Sequence, residues 1–141
     1  MRFFFDRNIP IRLAKMLDAY DAGNIVLHHD QDPRFDEDSA DTDIISEISQ
    51  DKPRPIFITA DVNMYTKNPN ERIALANSGL TVVFIKKHFT SLSFHQQALK
   101  LLTIWPLIVQ ETTRCRRPTA FEVTPGARKL NLLGLTAGLL R

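Results

Sequence analysis

A single cysteine, Cys115, stands in the 141-residue chain. One thiol excludes an internal disulfide and a zinc site built on cysteines. Arg114, Arg116 and Arg117 surround it and could lower its pKa, but it reads as an ordinary surface thiol. No apolar run approaches the roughly 20 residues that cross a bilayer, and no signal-peptide pattern is present, so the expectation is a cytoplasmic protein with no membrane partner. Internal repeats and low-complexity segments are lacking too. The net charge of +2 gives no field of one sign, yet its distribution is uneven. Asp30 to Asp51 carries nine acids against one base, Arg34, whereas Glu111 onward carries six bases and two acids. If both poles face the same side of the fold, one can attract cations and the other phosphates.

What is present describes one globular domain, with 43% hydrophobic and 24% charged residues. Phe3 to Phe5 is a short apolar run of high strand propensity that stops at Asp6, and Pro10 follows where a first helical turn tolerates it. Ile9, Leu13, Met16, Leu17 and Tyr20 recur at helical spacing, with Asn8 as the expected N-cap. Ile25 to His28 reads as a second buried strand, and His29 to Ser39 as a mobile loop beside it. Ser39 to Gln50 reads as a helix with Ile44, Ile45 and Ile48 inward. Asp41 precedes these by three, four and seven residues and shares their face, while Asp43 and Glu47 lie on another flank.

Pro55 to Thr59 is a third buried strand running into Asp61, and Val62 to Asn68 a loop. Pro69 opens a helix with Ile73, Ala74 and Leu75 inward, and Leu80 to Ile85 is a fourth strand ending in Lys86, Lys87 and His88. Ser93 and Gln96 have capping-box spacing before a helix whose apolar face includes Leu101 and Trp105, and which Pro106 kinks or divides. Ala120 to Val123 is a short strand. Residues 1–123 are thus expected to form the domain, and 124–141 a tail that is flexible or docks a partner. Strands alternating with helices predict an α/β three-layer sandwich with a mainly parallel sheet of four to five strands.

Right-handed crossovers send the ends of parallel strands to one edge, where ligands bind in open α/β sheets. Asp6, Asp41 and Asp61 would meet there. Each alone has a plainer reading as a turn, cap or helix-start residue; their joint placement points to a site. Like charges at close range raise one another's pKa or must be neutralised, and Mg²⁺ or Mn²⁺ neutralises them with carboxylate oxygens and water. Such an ion can activate water for displacement at phosphorus, so an acidic cleft beside a basic surface reads as a metal-dependent nuclease. His28 and His29, adjacent on a strand, point to opposite faces and cannot easily share a metal.

The ordered set Phe4-Phe5-Asp6-Arg7-Asn8-Ile9-Pro10, Asp41-Thr42-Asp43-Ile44-Ile45 and Ile58-Thr59-Ala60-Asp61 resembles the small PIN-like nuclease domains related to VapC toxins. The likeness spans about Met1 to Val109 and takes in the stretch Lys67 to Arg72 and the helix bearing Trp105-Pro106. It implies a PIN-like sandwich and a metal-dependent endoribonuclease that is the toxin of a toxin–antitoxin pair, homodimeric and silenced by a small antitoxin protein. By that resemblance Asp6, Asp41 and Asp61 are catalytic and bind the metal. Asn63 stands where a second acid often follows the third strand, so a fourth acid comes from Glu71, Asp43 or Glu47, or is absent. Arg7, Asn8, Asn63, Lys67 and Arg72 would contact the RNA substrate, with Lys86 and Lys87 on the rim. With fewer acids the alternative is a weak or inactive module that binds RNA or a protein partner. A phosphoryl-transfer receiver domain ranks below both, because it needs two successive acids after the first strand, and Arg7 follows Asp6.

Overall fold

Parallel strands can be joined only by a crossover, and the chain supplies one at each step. The computed structural model describes residues 1–61, 67–124 and 129–133, Lys87 by its backbone only. Strand β1 (Arg2–Phe5) leads into helix α1 (Ile11–Tyr20), which returns to β2 (Ile25–His28). A 3₁₀ turn (His29–Gln31) and a loop precede α2 (Asp41–Ser49), then come β3 (Ile56–Thr59), α3 (Pro69–Ser78) and β4 (Val82–Phe84). A second 3₁₀ turn (Lys87–Ser91) opens into α4 (Phe94–Arg114), followed by β5 (Ala120–Val123) and β6 (Leu130–Leu133).

The strands form one sheet in the order β2-β1-β3-β4-β5-β6, parallel through β5. Strand β6 pairs with β5 antiparallel. The sheet therefore has six strands among the described residues, rather than four to five. The extra one is made by Leu130–Leu133, which the sequence reading placed in the tail; its pairing with β5 covers that strand's edge, although Leu132 remains 72% exposed.

Alternation sorts the apolar residues onto two faces. Phe3, Phe5, Ile58 and Val83 pack with Leu13, Leu17, Leu101, Trp105 and Ile108 of α1 and α4. Phe4, Phe57, Val82 and Phe84 pack with Ile44, Ile45, Ile48 and Leu75 of α2 and α3. This is the expected three-layer α/β sandwich. Trp105 is a core residue: its ring lies 4.7 Å from Phe3 and 6.0 Å from Phe5 between centroids, and its Nε1 donates to Asp21 at 3.0 Å.

Several local details differ from the sequence reading. Asn8 is not the N-cap of α1; Pro10 occupies that position and no side chain caps the helix. Ile73, expected inward, is 46% exposed. Pro106 lies inside a continuous helix, on its exposed side. The Ser93–Gln96 capping box is present, each side chain accepting from the other residue's backbone N–H at 3.2 Å. The loop after β2 is tied down: Arg34 pairs with Asp32 and Asp51, and Phe35 packs on Phe4.

Helix α3 ends at Gly79 with φ at 77°, a left-handed conformation that only glycine adopts cheaply. A Cβ there would meet Arg54 Nη1 at 2.5 Å. That guanidinium donates to the Ser49 carbonyl at 2.9 Å and the Gly79 carbonyl at 3.3 Å, tying the ends of α2 and α3 together. Gly79→Ala should therefore cost about 1–2 kcal/mol, measurable as a lower midpoint in urea unfolding with an unchanged slope.

Candidate metal centre

All of the crossovers return the chain in the same sense, so the carboxyl ends of the strands and the first turns of the helices share one edge. Asp6 follows β1 directly. Asp61 lies two residues past β3, the strand next to it. Asp41 opens α2, and Glu71 sits in the first turn of α3. Four acids thus reach the edge from four elements.

Three of them converge. One carboxylate oxygen each from Asp41, Asp61 and Glu71 lies within 4.8 Å of the other two. Asp6 stands behind this group and is only 2% exposed. Its Oδ1 accepts from the Arg7 amide at 2.8 Å, and its Oδ2 from the Thr59 hydroxyl at 2.8 Å. The same hydroxyl accepts from the Asp61 amide at 3.0 Å and from Asn8 Nδ2 at 3.4 Å. Asn8 Oδ1 in turn accepts from the Ala60 amide at 3.2 Å. Thr59 and Asn8 therefore fix Asp6 and the backbone of Asp61 relative to one another.

The electrostatics record the crowding. Burial raises the Asp6 pKa, the Thr59 and Arg7 hydrogen bonds oppose this, and the charges of Asp41 and Asp61 add to it. Asp41 is raised by burial and then by the charge of Asp61, against the lowering effect of Arg7. Glu71 is raised by burial and by the charges of Asp41 and Asp61. A contact between the two carboxyl groups pushes Glu71 further up and opposes the rise at Asp41.

The other sequence candidates are scattered. Asp43 and Glu47 line a shallow groove with Arg34, Phe35 and Ser39, apart from the three-acid group. Asn8 faces Thr59 and Ala60 and serves as a brace for the site. Arg7 donates to the Glu37 carbonyl, holding the acidic loop against the site. Lys67 is exposed just before α3 and Arg72 half-buried within it, flanking Glu71. Lys86 pairs with Glu122 at 2.8 Å. Asn63 and the Lys87 side chain lie outside the described residues. His28 is satisfied in the core, its Nε2 2.6 Å from the Ile9 carbonyl and its Nδ1 accepting from the Asp30 amide.

The brace of Thr59 and Asn8 is what the sequence reading missed. The only trace was a polar threonine closing an apolar strand two residues before Asp61.

Compared with protein-family models, the chain matches one described as PIN like domain over residues 1–87, a span that holds all four acids. The chain belongs to the PIN-like domain family. No curated protein and no solved structure matches it. PIN-like domains are generally nucleases and typically use divalent metals. The donors in this PIN-like domain suit such an ion: they are carboxylate oxygens, which hard divalent cations prefer. Glu71 Oε2 is buried with no hydrogen-bond partner among the described residues, as expected of an atom awaiting a cation.

Two predictions follow from the geometry. Raised carboxyl pKa values mean that the metal-free folded chain binds more protons than the unfolded chain between the ordinary carboxylate pKa and the raised values. Its stability is then full below that window and declines as pH rises through it. Calorimetry without metal should show the melting temperature climbing as pH is lowered from neutral towards the ordinary carboxylate range, and millimolar Mg²⁺ should flatten the climb. Thr59→Val leaves Asp6 Oδ2 and the Asp61 amide without their partner, so urea unfolding should show a loss of about 1–3 kcal/mol.

Proposed function

We propose that this PIN-like domain is an endoribonuclease that hydrolyses RNA phosphodiester bonds with Mg²⁺ or Mn²⁺. The observation that carries the reading is the convergence of Asp41, Asp61 and Glu71, with their oxygens within 4.8 Å and Asp6 buried behind them. Asp41, Asp61 and Glu71 would hold the ion, and Asp6 contributes a fourth negative charge that a dication offsets. When bound, the ion supplies a Lewis acid for the phosphoryl oxygen and lowers the pKa of a water it carries. Thr59 and Asn8 keep the acids aligned. The first turns of α2 and α3 present their positive dipole ends on the same edge, which favours phosphate oxygens as well as the carboxylates. Lys67 and Arg72 flank Glu71 and would guide the RNA backbone.

The biological role is proposed from the likeness to VapC-related domains: a toxin acting in the cytoplasm as a homodimer and silenced by a cognate antitoxin protein. A second reading, a module that binds RNA or a protein without cutting, draws on one observation. Asn63 stands two residues past Asp61, where a further acid would strengthen metal binding.

Asp41→Asn and Asp61→Asn each remove a charge with little change of shape. Loss of an outer-shell partner alone typically costs 10–100-fold, so each substitution should lower Mg²⁺-dependent RNA cleavage by at least about 100-fold. Undiminished cleavage in both variants would remove the nuclease reading. Wild-type chain that neither cuts RNA nor gains thermal stability from Mg²⁺ or Mn²⁺ would leave the binding module.

A further inference from the structure

The structure places Arg114, Arg116 and Arg117 away from the acid cluster instead of beside it. Helix α4 begins at the acid-cluster edge and runs back across the sheet, so Arg114, Arg116 and Arg117 reach the opposite edge, just before β5 enters it. The contact of Thr113 Oγ1 with Met1 Sδ, at 3.0 Å, brings the end of α4 beside the start of β1. Lys52 lies at the same edge before β3, and Arg2 opens β1. With neighbouring strands about 4.8 Å apart, β1, β3 and β5 place these cations in a row about 15 Å long.

These cations are available. Lys52, Arg114, Arg116 and Arg117 are exposed, and none is in an ion pair among the described residues. The acids nearby are mostly engaged: Asp32 and Asp51, which line a groove with Arg2 and Lys52, are held by Arg34, Asp21 by Trp105 and Asn24, and Asp18 by the Val26 amide. Glu111, one turn before Arg114, offsets one charge. Arg114 also complements the negative end of the α4 dipole, but Arg116 and Arg117 lie beyond the helix.

At the cleft edge Lys67 is exposed beside Glu71, but neighbouring cations are engaged. Arg7 is tied to the Glu37 carbonyl and Lys86 to Glu122, and the loop between β2 and α2 adds Asp30, Asp36, Glu37 and Asp38. A polyanion draws most of its affinity from cations that replace its counterions, and this rim offers few.

We infer that the sheet edge opposite the acid cluster, marked by Lys52, Arg116 and Arg117, docks the phosphate backbone of RNA. The inference rests on RNA as the substrate of the proposed nuclease. It assigns capture of a long strand to one edge and hydrolysis to the other. A strand long enough to cross the sheet engages both, whereas a trinucleotide engages only the cleft.

The test is made first in the Asp61→Asn chain without added metal, so that binding is read whether or not the protein cuts. Anisotropy of a long single-stranded RNA should show affinity falling about tenfold when Lys52, Arg116 and Arg117 are all changed to Gln. The slope of log K against log salt should shrink by about 2, from roughly 0.7 per phosphate contact on single strands. Lys15→Gln, an exposed cation on α1, should change neither, and Arg116→Lys with Arg117→Lys should retain most of the affinity. In the chain with Asp61 intact, the triple Gln variant should raise KM for long RNA, leave kcat unchanged, and cut a trinucleotide normally. Unchanged affinity and slope would overturn the inference. So would a loss equalled by Lys15→Gln, or edge-dependent binding of vesicles containing anionic lipid without any effect on RNA.

Discussion

One hydroxyl joins the two strands on which the site depends. Thr59 donates to Asp6 at the end of β1 and accepts from the amide of Asp61 beyond β3. It is fully buried, so neither contact is diluted by water. Without it the two acids that follow adjacent strands would be free to turn apart, which is the cheapest way to relieve their repulsion. Asn8 repeats the device by bonding to both Thr59 and the Ala60 amide. The fold thus spends neutral hydrogen bonds to hold negative groups close together, and the apolar layers on either side of the sheet keep that brace rigid.

Much of this was legible in the chain because parallel strands are buried on both faces and read as apolar runs. Phe3 to Phe5 and Ile56 to Ile58 could hardly be anything else, and each runs into an acid within a few residues. Helical arithmetic separated Asp41 from Asp43, since only the former aligns with Ile44, Ile45 and Ile48; in the structure those three are buried, and Asp43 faces another groove. Glu71 stands three and four residues before Ala74 and Leu75, and the same arithmetic places it on their side. Local signals failed where the partner is remote. Asn8 carries every mark of an N-cap, but the register of β1 against β3 offers its amide a stronger use fifty residues away. Strand β6 was hidden because Leu130–Leu133 is a short run followed by a glycine-spaced stretch, and its pairing depends on an edge that β5 alone creates.

The separation of charge has a topological origin. Every α-helix among the described residues starts at the carboxyl edge of the sheet and ends at the other, so positive dipole ends gather where Asp41 and Glu71 lie and negative ends where Arg54 and Arg114 lie. Acids in first turns and bases after last turns are what helix electrostatics favour on their own. A parallel sheet amplifies this local preference into a polarity of the whole molecule.

That polarity constrains what the acid cluster can do. A site crowded with carboxylates repels nucleic acid until a dication neutralises it, and the field of the acidic loop between β2 and α2 extends the repulsion to one flank. At an ionic strength near 0.15 M the Debye length is about 8 Å, shorter than the 15 Å or so that a ten-residue helix such as α1 spans along the sheet. Cations at the far edge are therefore screened from the acids and do not cancel them. Each pole keeps its own charge, the acidic edge negative and the basic edge positive, because the sheet holds them farther apart than salt lets their fields reach.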